Sequence, residues 1–180
     1  MAAPPASATI SGPDLRVVAS TPGRRAASVS GPRLGFRIVN AGSGKCLTVT
    51  GGRVSDDSIV IQRTCGDDPS SLWRIRPVLL TGSVRLSNVR SGKCLTIAGD
   101  QVADNAMAVL GPCDSSPARR WVVRRPGGGP FTRARLQNAH SHKCLTIAAG
   151  TDAENAVAVQ YPCDTEPSRR WTAHPAADWT

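Results

Sequence analysis

Cysteine is the residue type whose spacing carries the most chemical information in this chain. All six cysteines fall inside a frame that occurs three times: Lys-Cys-Leu-Thr followed by Val or Ile, a second cysteine 19 residues after the first, and a tryptophan 8 residues later. An even number of cysteines at a constant spacing predicts three disulfides. The predicted pairs are Cys46–Cys65, Cys94–Cys113 and Cys144–Cys163.

Metal binding is the alternative chemistry for cysteine and histidine, and the spacing does not favour it. The sequence has no Cys-x-x-Cys, and no cysteine lies at zinc-finger spacing from a histidine. His140 and His142 are close together on a predicted loop, but further ligands at a suitable spacing are missing. We therefore predict neither a metal ion nor a cofactor.

Groups suited to acid–base or nucleophilic catalysis are equally sparse. Only three histidines occur, none of them with a nucleophile motif, and the carboxylates lie mostly in predicted turns. Because no general acid and general base can be nominated, we expect that this chain is not an enzyme.

Three disulfides also indicate where the protein works. Closing loops of this size stabilises a fold by roughly 3 kcal/mol each in the chain-entropy model, and such bonds persist only in an oxidising compartment. The longest apolar runs are only a few residues, too short to span a membrane. We expect a secreted, extracellular protein without a membrane span.

A net charge of +9 is one feature of proteins that bind nucleic acid. Here the 22 basic residues are scattered singly or in pairs, and aromatic residues make up only 4% of the chain. That content is too low for a base-stacking platform. We therefore expect no nucleic-acid partner.

The threefold frame predicts three homologous units in one domain. Residues 1–33 are rich in Ala, Pro, Ser, Gly and Arg without a sustained period, which predicts an irregular N-terminal tail or linker. The domain then covers residues 34–180. Its repeats occupy about residues 35–76, 83–124 and 132–173.

Each repeat contains four short candidate strands separated by turn-forming clusters. Leu95 and Ile97 alternate with polar Thr96, which is the period of a strand with one buried face. No window of the sequence supports an amphipathic helix of ten residues or more. In the second repeat the predicted strands are Val84–Leu86, Cys94–Ile97, Ala106–Leu110 and Trp121–Val123.

A single unit of four strands cannot bury its own apolar face. The three units are therefore expected to pack about a shared axis, which gives twelve strands in an all-β domain. Equivalent leucines and tryptophans should supply the layers of the core, namely Leu47, Leu95 and Leu145 with Trp73, Trp121 and Trp171.

The frame resembles the ricin B-type lectin family, whose fold is a β-trefoil of three homologous four-stranded repeats. The resemblance rests on the cysteine pairs, on the closing tryptophans and on the motif Asn-x-x-Ser-x-Lys-Cys-Leu, which begins at Asn40, Asn88 and Asn138. It implies a carbohydrate-binding function, in this family commonly for galactose or for xylan-type polysaccharides.

The residues that bind sugar in the family are largely replaced in this chain. The aspartate expected two residues after the first cysteine is a threonine in all three repeats, which removes a charged, two-point acceptor for sugar hydroxyls. The aromatic platform expected two residues before the second cysteine remains only as Tyr161. The replacements are Thr48, Thr96 and Thr146 for the aspartate, and Arg63 and Gly111 for the platform.

The third repeat therefore holds the best candidate for a weak or altered sugar site. Tyr161 would stack on the apolar face of a sugar, and polar side chains around it would hold the hydroxyls. These polar candidates are Thr146, Asn155, Gln160, Asp164 and Ser168. Under the opposing hypothesis, Tyr161 is an ordinary half-buried strand residue and the polar residues form turns.

Two further patterns recur with the repeat. Acidic or amide pairs follow each first cysteine by 10 and 11 residues, where a hairpin turn should use them for local hydrogen bonds. One arginine of each pair before a closing tryptophan should form an ion pair with Asp114 or Asp164. The pairs are Asp56-Asp57, Asp104-Asn105, Glu154-Asn155, Arg119-Arg120 and Arg169-Arg170.

Two functions follow from these patterns. The first is a secreted, lectin-like module that binds a galactose- or xylan-type carbohydrate in the third repeat. The alternative is a protein-interaction or inhibitor module that binds a protein partner through the loops of the disulfide-linked scaffold.

Overall fold

The computed structural model describes residues 35–125 and 131–178. The predicted tail, residues 1–33, lies outside this part of the chain. The described residues form twelve β-strands joined by turns and short 3₁₀ segments and contain no α-helix, which confirms the all-β prediction. The strands are β1 Phe36–Asn40, β2 Cys46–Val49, β3 Val60–Arg63, β4 Leu72–Val78, β5 Ser83–Asn88, β6 Cys94–Ile97, β7 Ala108–Gly111, β8 Trp121–Arg124, β9 Arg135–Asn138, β10 Cys144–Ile147, β11 Ala158–Tyr161 and β12 Trp171–Pro175.

The four strands predicted for the second repeat correspond to β5, β6, β7 and β8. The third of them was expected at Ala106–Leu110 but runs from Ala108 to Gly111. Ala106 belongs instead to the preceding turn, where its carbonyl accepts a hydrogen bond from the Gln160 amide of the third repeat. The Ala106 carbonyl is therefore used in a contact between repeats.

Six of the strands form a closed barrel. β1 pairs with β12, β4 with β5 and β8 with β9, all antiparallel. Shorter contacts join β1 to β4, β5 to β8 and Ala134 to Trp171. The other strands form the hairpins β2–β3, β6–β7 and β10–β11, which are bridged to one another at Ile59–Val109, Ile61–Val157 and Met107–Val159. This arrangement is a β-trefoil.

The closing tryptophans form the centre of the core. All three indoles are fully buried, as are the leucines that follow the first cysteines. Each indole Nε1 donates a hydrogen bond to the carbonyl of the leucine in its own repeat, which satisfies the polar atom that burial would otherwise leave unpaired. The bonds join Trp73 to Leu47 (2.8 Å), Trp121 to Leu95 (3.0 Å) and Trp171 to Leu145 (2.9 Å).

The three predicted disulfides form, and they pair all six cysteines. Each one joins the first residue of a hairpin to the cysteine two residues beyond its second strand. The Cα–Cα distances are 5.0 Å for Cys46–Cys65, 5.1 Å for Cys94–Cys113 and 5.0 Å for Cys144–Cys163. The open end of every hairpin is therefore closed covalently.

The asparagine of the Asn-x-x-Ser motif joins one repeat to the next. In each copy the side-chain oxygen accepts the backbone N–H groups two and three residues later, which forms a local turn. The side-chain amide donates to a carbonyl of the neighbouring repeat. These bonds join Asn40 to Ser168 (2.8 Å), Asn88 to Ser70 (2.9 Å) and Asn138 to Ala118 (2.8 Å).

The acidic and amide pairs occupy the hairpin turns, as the sequence indicates. The second residue of each pair has a positive φ, between 59° and 63°, a conformation that Asn and Asp tolerate. Its backbone N–H bonds to a carbonyl of the next repeat, so that Asp57 contacts Leu110, Asn105 contacts Gln160 and Asn155 contacts Gln62. The first residue forms an ion pair with the lysine of that repeat, in the pairs Asp56–Lys93, Asp104–Lys143 and Glu154–Lys45.

Candidate functional site

A cavity of about 490 Å³ opens beside the second and third strands of the third repeat. β10 and β11 provide one wall, and the 3₁₀ segments Ala148–Gly150 and Pro167–Arg169 provide another. One residue of the second repeat, Asn105, completes the lining. The residues around the cavity are Asn105, Thr146, Ile147, Ala149, Gly150, Tyr161, Glu166, Ser168 and Arg169.

Tyr161 is the aromatic residue of this cavity. It ends β11 opposite Cys144 of β10, and its side chain is half-buried rather than enclosed in the core. The guanidinium carbon of Arg169 lies 5.0 Å from the centroid of the Tyr161 ring, within the range of a cation–π interaction. The ring is therefore held in place by a neighbour that lines the same cavity.

Asp164 does not line the cavity, but it holds the Arg169 side chain that does. Its Oδ1 accepts a hydrogen bond of 2.8 Å from Arg169 Nη1 and another of 2.9 Å from the backbone N–H of Glu166. This is the ion pair that the recurring arginine and aspartate predict. In the second repeat, Arg119 likewise lies 3.3 Å from Asp114.

Thr146 and Ser168 lie together at the base of the cavity. Thr146 is buried, and its Oγ1 donates to the Ser168 carbonyl at 3.2 Å. A Cβ atom placed on Gly150 would lie 3.4 Å from Ser168 Oγ. The absence of a side chain at Gly150 therefore keeps the space beside the serine hydroxyl open.

Gln160 was predicted to bind ligand, but the structure places it inside the scaffold. Its side chain is fully buried. The amide Nε2 donates to the carbonyls of Gln101 and Ala103, both at 2.9 Å, and Oε1 accepts from Ser141 at 2.6 Å. The amide nitrogen thus joins the third repeat to the second, and the amide oxygen bonds within the third repeat.

Asn155 also lies away from the cavity, because each hairpin turn packs on the next repeat. Its turn contacts the first repeat through Gln62, while its equivalent Asn105 reaches the third repeat and lines the cavity. The sequence analysis assumed that all residues of the site come from the third repeat, so it selected Asn155 as a ligand-binding residue and missed Asn105 of the second repeat. The repeat period identified the two as equivalents, but it does not reveal which repeat each turn contacts.

Glu166 is a lining residue that the sequence analysis did not select. It precedes the segment Pro167–Arg169 at the N-cap position, yet its side chain makes no capping hydrogen bond. The equivalent residues Asp68 and Ser116 both cap their segments, by accepting from Ser70 N and Ala118 N respectively. Among the described residues, Glu166 is the one that contributes a carboxylate to this cavity. Its side chain forms no hydrogen bond or ion pair with the described part of the protein.

The other two repeats offer no aromatic surface at the equivalent position. A Cβ atom on Gly111 would lie 2.9 Å from Thr96 Cγ2, so the second repeat has no room there for a side chain. Arg119 lies beside this glycine and forms an ion pair with Asp100 at 2.8 Å. In the first repeat the platform position is the exposed Arg63.

No metal or membrane feature accompanies the cavity in the described residues. That part of the chain holds no group of three or more His, Cys, Asp or Glu side chains arranged to bind a metal ion. None of its helical segments has the length and apolar character needed to cross a bilayer.

Comparison with protein families identifies the scaffold. Residues 35–171 match the model of the ricin-type β-trefoil lectin domain. This chain belongs to that family. The membership makes it a carbohydrate-binding type of domain, with a carbohydrate as the implied partner. Among curated proteins, no relative matches the chain.

Solved structures share the fold of this lectin domain. The designed threefold-symmetric protein ThreeFoil is 25% identical, with a TM-score of 0.72 over 77% of this chain and 96% of ThreeFoil. The exo-β-1,3-galactanase 1,3Gal43A of Clostridium thermocellum is 20% identical, with a TM-score of 0.71 over 77% of this chain and 29% of the galactanase. The Rhizoctonia solani agglutinin is 16% identical, with a TM-score of 0.67 over 77% of this chain and 92% of the agglutinin. The lectin domain thus spans less than a third of the galactanase.

Proposed function

We propose that this protein is a secreted carbohydrate-binding module whose sugar site is the cavity of the third repeat. The observation that carries the proposal is the half-buried ring of Tyr161 at an open cavity surrounded by polar side chains. An aromatic ring beside convergent hydrogen-bonding groups is the combination that a sugar requires. The platform positions of the other two repeats are Arg63 and Gly111, which supports a single site.

Stacking on Tyr161 supplies the apolar part of recognition. One face of a pyranose carries C–H groups that pack against an aromatic ring, and removing both surfaces from water favours binding. Arg169 contacts the ring at 5.0 Å and is itself held by Asp164. Because the tyrosine is fixed before the sugar arrives, little side-chain entropy is lost on binding.

Polar groups around the ring supply the orientation of the sugar. Glu166 provides the charged acceptor that the threonine at position 146 no longer provides, and a carboxylate can accept from two adjacent hydroxyls. Ser168 offers a hydroxyl and Asn105 an amide from the neighbouring repeat. We therefore expect recognition of a neutral galactose- or xylan-type sugar through a displaced carboxylate.

A specific observation favours the alternative, a protein-interaction module. Leu79 and Leu80 follow directly after β4 and are 86% and 106% exposed. Neighbouring apolar side chains at a turn form a small apolar surface of the kind that a protein partner covers. Under this alternative the repeat-three cavity would bind no glycan.

A glycan array followed by a polysaccharide pull-down tests the proposal. The intact protein should retain at least one glycan, and Tyr161→Ala should abolish retention because the stacking surface is lost. Tyr161→Phe keeps the ring and should retain binding, while Arg63→Ala changes the equivalent position of the first repeat and should have no effect. Binding that survives Tyr161→Ala would exclude this cavity as the site. Absence of binding to any glycan, together with capture of a partner that Leu80→Ser abolishes, would establish the alternative.

A further inference from the structure

A second cavity, of about 380 Å³, lies on the β4–β5 hairpin and shares no residue with the repeat-three cavity. Three arginines line it, Arg74, Arg76 and Arg85. The disulfide Cys94–Cys113 contributes to another part of the lining. Among the described residues that surround it, none is acidic.

The strand register gathers the three positive charges on one face. Arg76 lies directly opposite Arg85 in the antiparallel ladder, and Arg74 lies two residues before Arg76 on β4. Alternate residues of a strand share a face, and directly opposed like charges destabilise a sheet. The fold therefore holds an arrangement of charges that is unfavourable by itself.

Within the described part of the chain, no side chain compensates these charges. None of the three arginines forms a side-chain hydrogen bond or an ion pair there. The Nε atom of Arg85 is buried and has no hydrogen-bond partner. Leaving a buried donor unsatisfied is costly, most of all when the group is charged.

The equivalent hairpin of the next repeat also holds two opposed arginines, but there each of them has a hydrogen-bond acceptor within the protein. Arg124 lies opposite Arg135 at the corresponding position of β8 and β9. There, however, Arg124 Nε donates to Gln137 Oε1 at 2.9 Å, and Arg135 Nη1 donates to the Asp164 carbonyl at 3.2 Å. One donor of each arginine in that pair thus has an acceptor within the protein, whereas the β4–β5 arginines have none among the described residues.

We propose that the β4–β5 cavity binds a tetrahedral oxyanion, sulfate or phosphate, either free or as an ester on a glycan. Guanidinium groups match the oxygen geometry of such anions and bind them through paired, charge-assisted hydrogen bonds. An anion between Arg76 and Arg85 relieves their repulsion and supplies an acceptor for Arg85 Nε. This site is independent of sugar binding at Tyr161.

Isothermal titration calorimetry of the full chain at constant ionic strength tests the proposal. Sodium sulfate and sodium phosphate should each bind saturably to the wild-type protein. Arg76→Ser and Arg85→Ser should each weaken binding by about tenfold, because each removes charge-assisted hydrogen bonds to the anion. Arg124→Ser, the matched change in the next hairpin, should leave the affinity unchanged.

Folding of the variants is checked by thermal denaturation in chloride. Arg76→Ser removes one of two opposed like charges, so its midpoint should not fall below that of the wild type. Loss of anion binding in a variant of undiminished stability is then an effect on the site itself. Absence of saturable binding of both anions, or equal affinity in the wild type, Arg76→Ser and Arg85→Ser, would overturn the proposal.

The source of the anion is distinguished with a sulfated oligosaccharide and its unsulfated parent. If the group belongs to a glycan, the sulfated form binds more tightly than free sulfate, and its advantage over the parent disappears in Arg85→Ser. If the site takes a free ion, sulfate or phosphate binds and sulfation of the oligosaccharide gives no advantage.

Discussion

Threonine follows the first cysteine of every repeat by two residues, and its hydroxyl bonds the 3₁₀ segment that precedes the closing tryptophan. Thr96 donates to the Ala118 carbonyl at 3.1 Å, and Thr48 accepts from Ser71 at 3.0 Å. Thr146 makes the equivalent contact with Ser168. This hydroxyl is used by the fold in all three repeats. Our proposal therefore assigns the charged group that would bind a sugar to another residue, Glu166.

Glu166 is the residue at which this idea can be tested. Glu166→Gln should weaken sugar binding by about tenfold, since it replaces charge-assisted hydrogen bonds with neutral ones of the same geometry. Calorimetric titration with a glycan retained by the intact protein measures the effect. Asp68→Asn alters the equivalent position of the first repeat and should leave the affinity unchanged. Equal affinity in Glu166→Gln would mean that the carboxylate takes no part.

The hairpins are the elements that connect the repeats, and buried glutamines hold two of them. Gln62 donates to the Thr151 and Ala153 carbonyls just as Gln160 donates to those of Gln101 and Ala103. Their equivalent in the second repeat is the apolar Leu110, which is also fully buried. The position therefore serves the junction between hairpins in every repeat, with or without a polar side chain.

Gln160→Leu should lower the free energy of unfolding by about 1–3 kcal/mol, because it leaves the Gln101 and Ala103 carbonyls and the Ser141 hydroxyl without their hydrogen-bond partner. Urea denaturation measures this change. Gln101→Leu, at an exposed glutamine, should change stability by less than about 0.5 kcal/mol. A loss of sugar affinity in Gln160→Leu without a loss of stability would instead assign Gln160 to the ligand site.

The cap of the segment Pro69–Ser71 makes stability depend on pH. A hydrogen bond from the Ser70 backbone holds the pKa of Asp68 below its usual value of 3.8. The carboxylate therefore contributes stability above pH 3.8, and this contribution is lost as the pH falls through the lower pKa of the folded state. Asp68→Asn should be less stable than the wild type at pH 7, with a difference that shrinks below pH 3.8. Urea midpoints across this range would show it, and a constant difference would contradict it.

At the scale of the whole molecule, the contacts between repeats form a cycle. The turn of the first repeat contacts the second, that of the second contacts the third, and that of the third returns to the first. The ion pair between Glu154 and Lys45 closes this cycle at 3.2 Å. Hydrogen bonds from Thr64 are the main cause that lowers the pKa of Glu154, which favours the charged carboxylate in this ion pair.

Reduction of the disulfides should destabilise the whole domain. Loops of this length contribute roughly 3 kcal/mol each in the chain-entropy model, and the total stability of a domain is only about 5–15 kcal/mol. Circular dichroism melting with and without reductant should therefore show a large fall in the midpoint. An unchanged midpoint would contradict a stabilising role of the disulfides in this domain.

The sequence by itself determined the cysteine pairs, the four strands of each repeat and the place of the closing tryptophans and their leucines in the core. These features have fixed separations along the chain, and the period repeats them three times. The alternation of Leu95, Thr96 and Ile97 correctly predicted β6 at Cys94–Ile97, but the expectation of a single buried face was wrong, because all four residues of the strand, Thr96 included, are buried. Short-range geometry of this kind is dictated by side-chain alternation and by loop length.

Only the tertiary structure decided which residues of different repeats and strands lie next to one another. It placed Asn105 rather than Asn155 beside Tyr161, and it aligned Arg76 with Arg85 across β4 and β5. A repeat period states which residues are equivalent, but the order and register in which units pack depend on hydrogen bonds between distant segments. The candidate sugar site lies at such a junction, so its full set of residues appears only when the three units are assembled.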